Sequence, residues 1–186
     1  MNQMSRFTPA RWGASLLLGL CTAACSGDRI PPGTLRVDPF QADGLEAGAV
    51  SGQLVRVRYS GLATKHGIRL TLEGPGHTAL ETRELITTSW EREQAFDLDL
   101  AVRVEFQKRM FGEQTRAWLN VWIANAFEEG TSSTSVDLTD DIPEDLSAFS
   151  TGTQTSSALG DRPVAEIFHV RFAKDSGAVR LEYFVE

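Results

Sequence analysis

From residue 35 onward the chain alternates between apolar and polar positions. In 54–62, Val55, Val57 and Tyr59 take one parity and Arg56, Arg58 and Ser60 the other. Ile68, Leu70 and Leu72 alternate in the same way with Arg69, Thr71 and Glu73. The longest run covers 95–107, where Phe96, Leu98, Leu100, Val102, Val104 and Phe106 face Asp97, Asp99, Arg103, Glu105 and Gln107. A strand turns successive side chains to opposite faces. This period therefore predicts strands with one buried and one wet face, and fits a helix poorly.

The C-terminal part repeats the pattern. Phe168, Val170 and Phe172 alternate with His169 and Arg171, and Val179, Leu181, Tyr183 and Val185 with Arg180 and Glu182. Lys174-Asp175-Ser176-Gly177 between them is turn chemistry, so a hairpin is predicted from 164–173 and 178–185. The segment 115–128 fits two templates. Trp118, Leu119, Trp122, Ile123, Ala126 and Phe127 suit one helix face, but its Trp, Val and Ile content favours a strand buried on both faces. Asp141-Ile142-Pro143 resembles a helix start, with Asp141 as cap.

Many strands and at most one short helix predict an all-β fold. Faces apolar on one side need a second sheet to cover them. The expected architecture is an antiparallel β-sandwich, immunoglobulin-like or jelly-roll-like, in a single domain over 35–186, with an open barrel as the alternative. Ser26 to Thr34, with Pro31 and Pro32, suggests an extended tether over 25–34.

The N-terminus is of another kind. Arg6 and Arg11 precede a short apolar run, and Ala23 and Ala24 lead directly to Cys25. These are the parts of an export signal. With a cysteine as the first residue after the cut, the segment Met1 to Cys25 resembles a bacterial lipoprotein signal. The resemblance implies removal of 1–24 and lipidation of Cys25. It also implies attachment to a membrane, the outer one because Ser26 and not Asp follows the cysteine. A plain secretory signal cut near Ala24 is the competing reading. A membrane-spanning anchor is disfavoured, since the uncharged stretch from Trp12 to Ser26 is shorter than the ~20 residues a bilayer needs.

Composition narrows the function. The chain has 18 basic and 25 acidic residues, and the leader holds two of the basic ones, so the remainder carries 16 against 25, a net charge of −9. Phosphate backbones are repelled by that balance, which argues against nucleic acid as a partner. Cys25 is the only cysteine after the leader, so once it is lipidated no disulfide, thiolate nucleophile or cysteine-bound metal can form.

Candidate chemistry is sparse. His66 and His77 stand beside glycine-containing stretches without metal-ligand spacing and read as solvated turn residues; His169 reads as an exposed residue on the polar face of the terminal hairpin. Asp137, Asp140, Asp141, Glu144 and Asp145 cluster without the regular spacing of a calcium loop. Asp97 and Asp99 share a strand face about 7 Å apart, a separation that glycoside hydrolysis can use, although a solvent-facing pair is the commoner meaning. No nucleophile elbow, zinc-protease helix or phosphate loop is present. Trp90, Trp118 and Trp122 can stack on sugars or partner surfaces, and Trp118 and Trp122 form the candidate platform.

The expectation is a non-catalytic, lipid-anchored cell-envelope protein acting as a binding or structural module. It needs no cofactor, and an envelope protein or glycan is its expected partner. An accessory subunit of a secretion or assembly complex is the alternative, and a hydrolase is the third reading.

Overall fold

The alternating stretches form strands, but they join into longer elements than the sequence suggests. The computed structural model describes residues 30–39, 49–125, 130–142, 150–151, 163–172 and 176–186. Among these residues eight strands follow one another: β1 (Thr34–Pro39), β2 (Ala49–Glu73), β3 (Ala79–Phe111), β4 (Gln114–Asn125), β5 (Thr131–Asp137), β6 (Ser150–Thr151), β7 (Val164–Arg171) and β8 (Ala178–Val185). Every pairing is antiparallel, in the order β5-β4-β3-β2-β8-β7-β6 with β1 added to β2. The path ends at β5 and β6, so the strands do not close into a barrel.

β2 has 25 residues and β3 has 33, where a strand is usually about 5–6 long. Each is shared between two sheets. The first half of β2 pairs with β1 and with residues 94–107 of β3, and β3 carries this first sheet on to β4 and β5. The second half of β2, from Lys65, pairs with 79–89 of β3 on one side and with β8 on the other, and β7 and β6 complete the second sheet. The change of sheet is a bend. Ala63 opposes Gln94 and Lys65 opposes Ser89, so the four residues 90–93 stand opposite Thr64 alone, an excess of three. The amides of Thr64 and Lys65 then donate to the Glu186 carbonyl at 2.6 and 3.1 Å, which satisfies backbone that the bend takes out of the ladder.

The two sheets face each other as an all-β sandwich. Val55, Val57, Val102, Val104, Leu119 and Val121 of the first sheet are fully buried, as are Ile68, Leu70, Phe168, Val170, Val179 and Leu181 of the second. Phe106 meets Phe172 across the gap with ring centroids 5.9 Å apart. Burying such a side chain contributes about 1.5–3 kcal/mol each, so the inner faces hold the fold together.

Residues 114–125 form a strand, with one correction. Ala117, Leu119, Val121 and Ile123 are buried, but Trp118, Asn120 and Trp122 on the other face are only half-buried. The terminal hairpin forms as expected, with the Phe172 amide bonded to the Gly177 carbonyl at 2.9 Å. Gly177 has φ +133, and a Cβ there would lie 2.4 Å from the Glu73 carbonyl oxygen. The expected helix starting at Asp141 lies largely outside the described residues, as do the leader, Cys25 and the first half of the tether, 25–29. The described residues include one helical turn, the 3-10 segment Pro75–His77, and no helix among them is long and apolar enough to cross a membrane.

Candidate functional site: a slot between the sheets

The bend leaves a slot of about 510 Å³ between the two sheets. It opens on the side where β5 ends the first sheet and residues 79–89 of β3 edge the second. Its floor is aliphatic: Leu98, Leu100 and Ile123 come from the first sheet and Ile68 and Ile86 from the second. Its inner wall is aromatic, made by His66, Trp90, Phe96 and Tyr183. Thr88, Thr131 and Ser132 are exposed at the mouth, and Asn125 also borders it.

Each wall residue is placed by a different part of the bend. Trp90 opens the four-residue stretch of β3 that stands opposite Thr64, and Phe96 follows it where pairing with β2 resumes. His66 is the second residue of β2 after the bend, and Tyr183 reaches it from β8, whose register places Val185 opposite His66. The close approach of β2 to β3 needs Gly67, since a Cβ at that position would lie 2.1 Å from the Ile86 carbonyl oxygen.

The rings pack on one another. His66 packs against Phe96, at 4.7 Å and 19°, and against Tyr183, at 5.9 Å and 28°. Phe96 also meets Tyr59 at 4.9 Å and Trp90 at 5.3 Å. Trp90 tilts against His66 at 5.3 Å. The Tyr183 hydroxyl and His66 Nδ1 form a short hydrogen bond. Burial holds the imidazole below the ordinary histidine range and pushes the Tyr183 phenol up, so both groups stay neutral at physiological pH. Behind them the Tyr59 hydroxyl donates to the Leu62 carbonyl at 2.9 Å.

His66 therefore corrects the reading of a solvated turn histidine: it sits within a strand, half-buried among rings. His77 is exposed in the turn between β2 and β3, 3.3 Å from Glu73. His169 is half-buried on β7 and not exposed, 3.6 Å from Glu166.

Three of the carboxylates identified from the sequence, Asp99, Asp137 and Asp141, are engaged elsewhere, and Glu144 and Asp145 lie outside the described residues. Asp99 is held by Arg56 through two bonds of 2.7 and 2.5 Å, which keeps its carboxyl below the usual carboxylate range. Asp97 borders the slot, yet it alternates with Phe96 and Leu98 and pairs opposite Ser60, so its side chain belongs to the outer face. Asp137 accepts from the Thr139 amide and hydroxyl, and Asp141 from Arg83 at 3.1 Å. Among the described residues no three His, Cys, Asp or Glu side chains converge as a metal site would require.

Trp118 and Trp122 lie on the outer face of the first sheet, away from the slot. Trp118 meets the Phe111 ring edge-on at 6.1 Å, and the Arg103 guanidinium lies over Trp122 at 5.3 Å. Of the three tryptophans singled out from sequence, only Trp90 reaches the slot. His66, Phe96 and Tyr183 carry no motif and become neighbours only through strand pairing.

Compared with protein-family models, with curated proteins and with solved structures, the chain matches none of them. What the slot takes has to follow from its walls.

Proposed function

We propose that this protein is a non-catalytic binding module of the cell envelope, anchored through lipid on Cys25, and that the slot between its sheets is its binding site. The slot carries the reading. Its volume of about 510 Å³ lies within the range of about 300–1,000 Å³ usual for small-molecule sites, and it pairs an apolar floor with a few polar groups at the mouth. Two groups that could act as acid or base are committed, His66 to Tyr183 and Asp99 to Arg56. The anchor is supported by the Arg6–Arg11 leader and the small residues before Cys25.

The accessory-subunit reading needs a sheet edge that another chain completes. The long edge formed by 79–89 of β3 is poorly suited to that. Past a bulge, Arg83 and Glu81 stand opposite Leu70 and Leu72, on the side that faces the core. Inward-pointing charges on an edge strand discourage strand addition.

Two measurements test the proposal. Mass spectrometry of the protein from its native envelope should find a chain beginning at Cys25 with acyl groups attached; an unmodified Cys25 or an intact leader removes the anchor. Thermal shift against fractionated envelope glycans, lipids and peptides should show at least one saturable stabilisation, and none with any fraction removes the binding role.

A further inference from the structure

Resting on that binding reading, we infer that the slot takes an uncharged aliphatic chain that ends in a hydroxyl or ester head, with the chain on the floor and the head at the mouth. Three observations carry this.

The first is charge. Among the described residues no Lys or Arg lines the slot, and Asp97, the one acid among them that borders it, belongs by strand parity to the outer face. Among these residues an anionic head would give up its hydration with no counter-charge in return, and a cationic one would find no carboxylate on the inner side. His66, kept neutral and bonded to Tyr183, supplies no charge either.

The second is the state of the rings. A sugar binds an aromatic wall by lying flat on an open ring face. Here His66 is stacked on Phe96 and hydrogen-bonded at its edge by Tyr183, and Phe96 is further covered by Tyr59 and Trp90. The wall closes the end of the slot and leaves few faces for a pyranose.

The third is the distribution of polarity. Ile68, Ile86, Leu98, Leu100 and Ile123 supply the aliphatic lining, and Thr88, Thr131 and Ser132 are exposed at the mouth, with Asn125 half-buried opposite Leu100. One polar end and one apolar length describe the ligand that such a surface complements.

The test uses the full chain carrying Cys25→Ser, so that no acyl group of its own competes. Titration calorimetry and intrinsic fluorescence with 1-hexanol, 1-octanol and 1-decanol should give saturable binding that tightens about fourfold per added methylene, until the slot is filled. Decanoate and decyltrimethylammonium should bind at least tenfold more weakly than decanol at pH 8. Ile86→Trp, which fills the slot from its edge, should weaken decanol at least tenfold with a cooperative thermal transition retained. If that variant does not fold, Thr88→Trp on the exposed mouth replaces it.

Binding of maltose or cellobiose but of no alcohol, abolished by the slot-filling variant, overturns the ligand class and leaves the binding site standing. Equal affinity for decanoate and decanol overturns the charge argument and with it the inference. Alcohol binding untouched by a folded slot-filling variant places the ligand elsewhere and overturns it as well. Silence toward every probe overturns the inference, and if envelope fractions are silent too, the binding role falls with it.

Discussion

Acidification should loosen this fold before Asp38 and Asp99 lose their charge, and His66 is the reason. In the unfolded chain its imidazole titrates near 6.5. In the folded protein burial lowers that value, because a charged imidazole would sit among Phe96, Trp90 and Tyr183 instead of in water. Below pH 6.5 the unfolded chain thus binds a proton that the folded chain refuses, and acidification favours unfolding. The stability tied to the neutral ring is fully present above the unfolded value. It is lost progressively as pH falls, and the loss levels off below the folded value. From pH 7.5 to 5.5 one such group costs at most about 1.4 kcal/mol, which for a domain of this size corresponds to about 3–6 °C in Tm. Asp38 and Asp99, both lowered, lose their contribution only as pH falls through about 4 and below. The two effects therefore separate along the pH axis. Differential scanning fluorimetry of wild type and His66→Gln at pH 7.5, 6.5 and 5.5 reads the difference, since glutamine can still bond to the Tyr183 hydroxyl but does not titrate. Wild type should lose several degrees more than the variant across that range. Parallel curves, within 1 °C, would refute the claim that His66 is held neutral by its surroundings.

Two further outcomes follow from the same geometry. Gly67→Ala drives a Cβ to 2.1 Å from the Ile86 carbonyl oxygen, so β2 and β3 must part beside the slot; urea unfolding should show a loss of roughly 1–3 kcal/mol, and an unchanged midpoint would mean that the strands are not so close. Trp122→Ala removes the ring beneath Arg103 and should cost about 0.5–1 kcal/mol for that contact, while leaving decanol affinity within twofold. A tenfold loss of affinity would move the binding site to the outer face of the first sheet.

Much of the fold was legible because alternation survives wherever a strand has one buried face. The run 95–107 and the terminal hairpin show this: Leu98 to Phe106 and Val179 to Val185 are buried at every second position. Legibility fails where a strand serves two sheets. Residues 54–62 and 68–73 read as two strands, but Thr64 and Lys65 only mark the bend, with their amides diverted to Glu186. Residues 79–89 show no clean period because a bulge changes which parity faces inward, and Arg83 and Glu81 then fall opposite Leu70 and Leu72. Trp118 and Trp122 misled in the other direction. Their size suggested burial on both faces, yet they cover Arg103 and meet Phe111 while remaining half in solvent.

The slot was illegible for a stronger reason. His66 and Tyr183 are 117 residues apart, and nothing local marks either as part of a site. The triplet Lys65-His66-Gly67 has turn composition, but its glycine is there for the approach of β3 and not for a change of direction. The same holds for Trp90, whose neighbours Glu91, Arg92 and Glu93 resemble a solvated loop and are in fact the excess that lets β3 change sheets. A sandwich whose sheets share two strands must accommodate that excess at its corner. Around the bend the backbone is satisfied by Glu186, and between the sheets the mismatch is filled by rings up to the point where the slot begins. The cavity is thus a product of the fold's connectivity. Substitutions that straighten the corner, such as deletion of residues 91–93, should abolish it even though none of those side chains lines it.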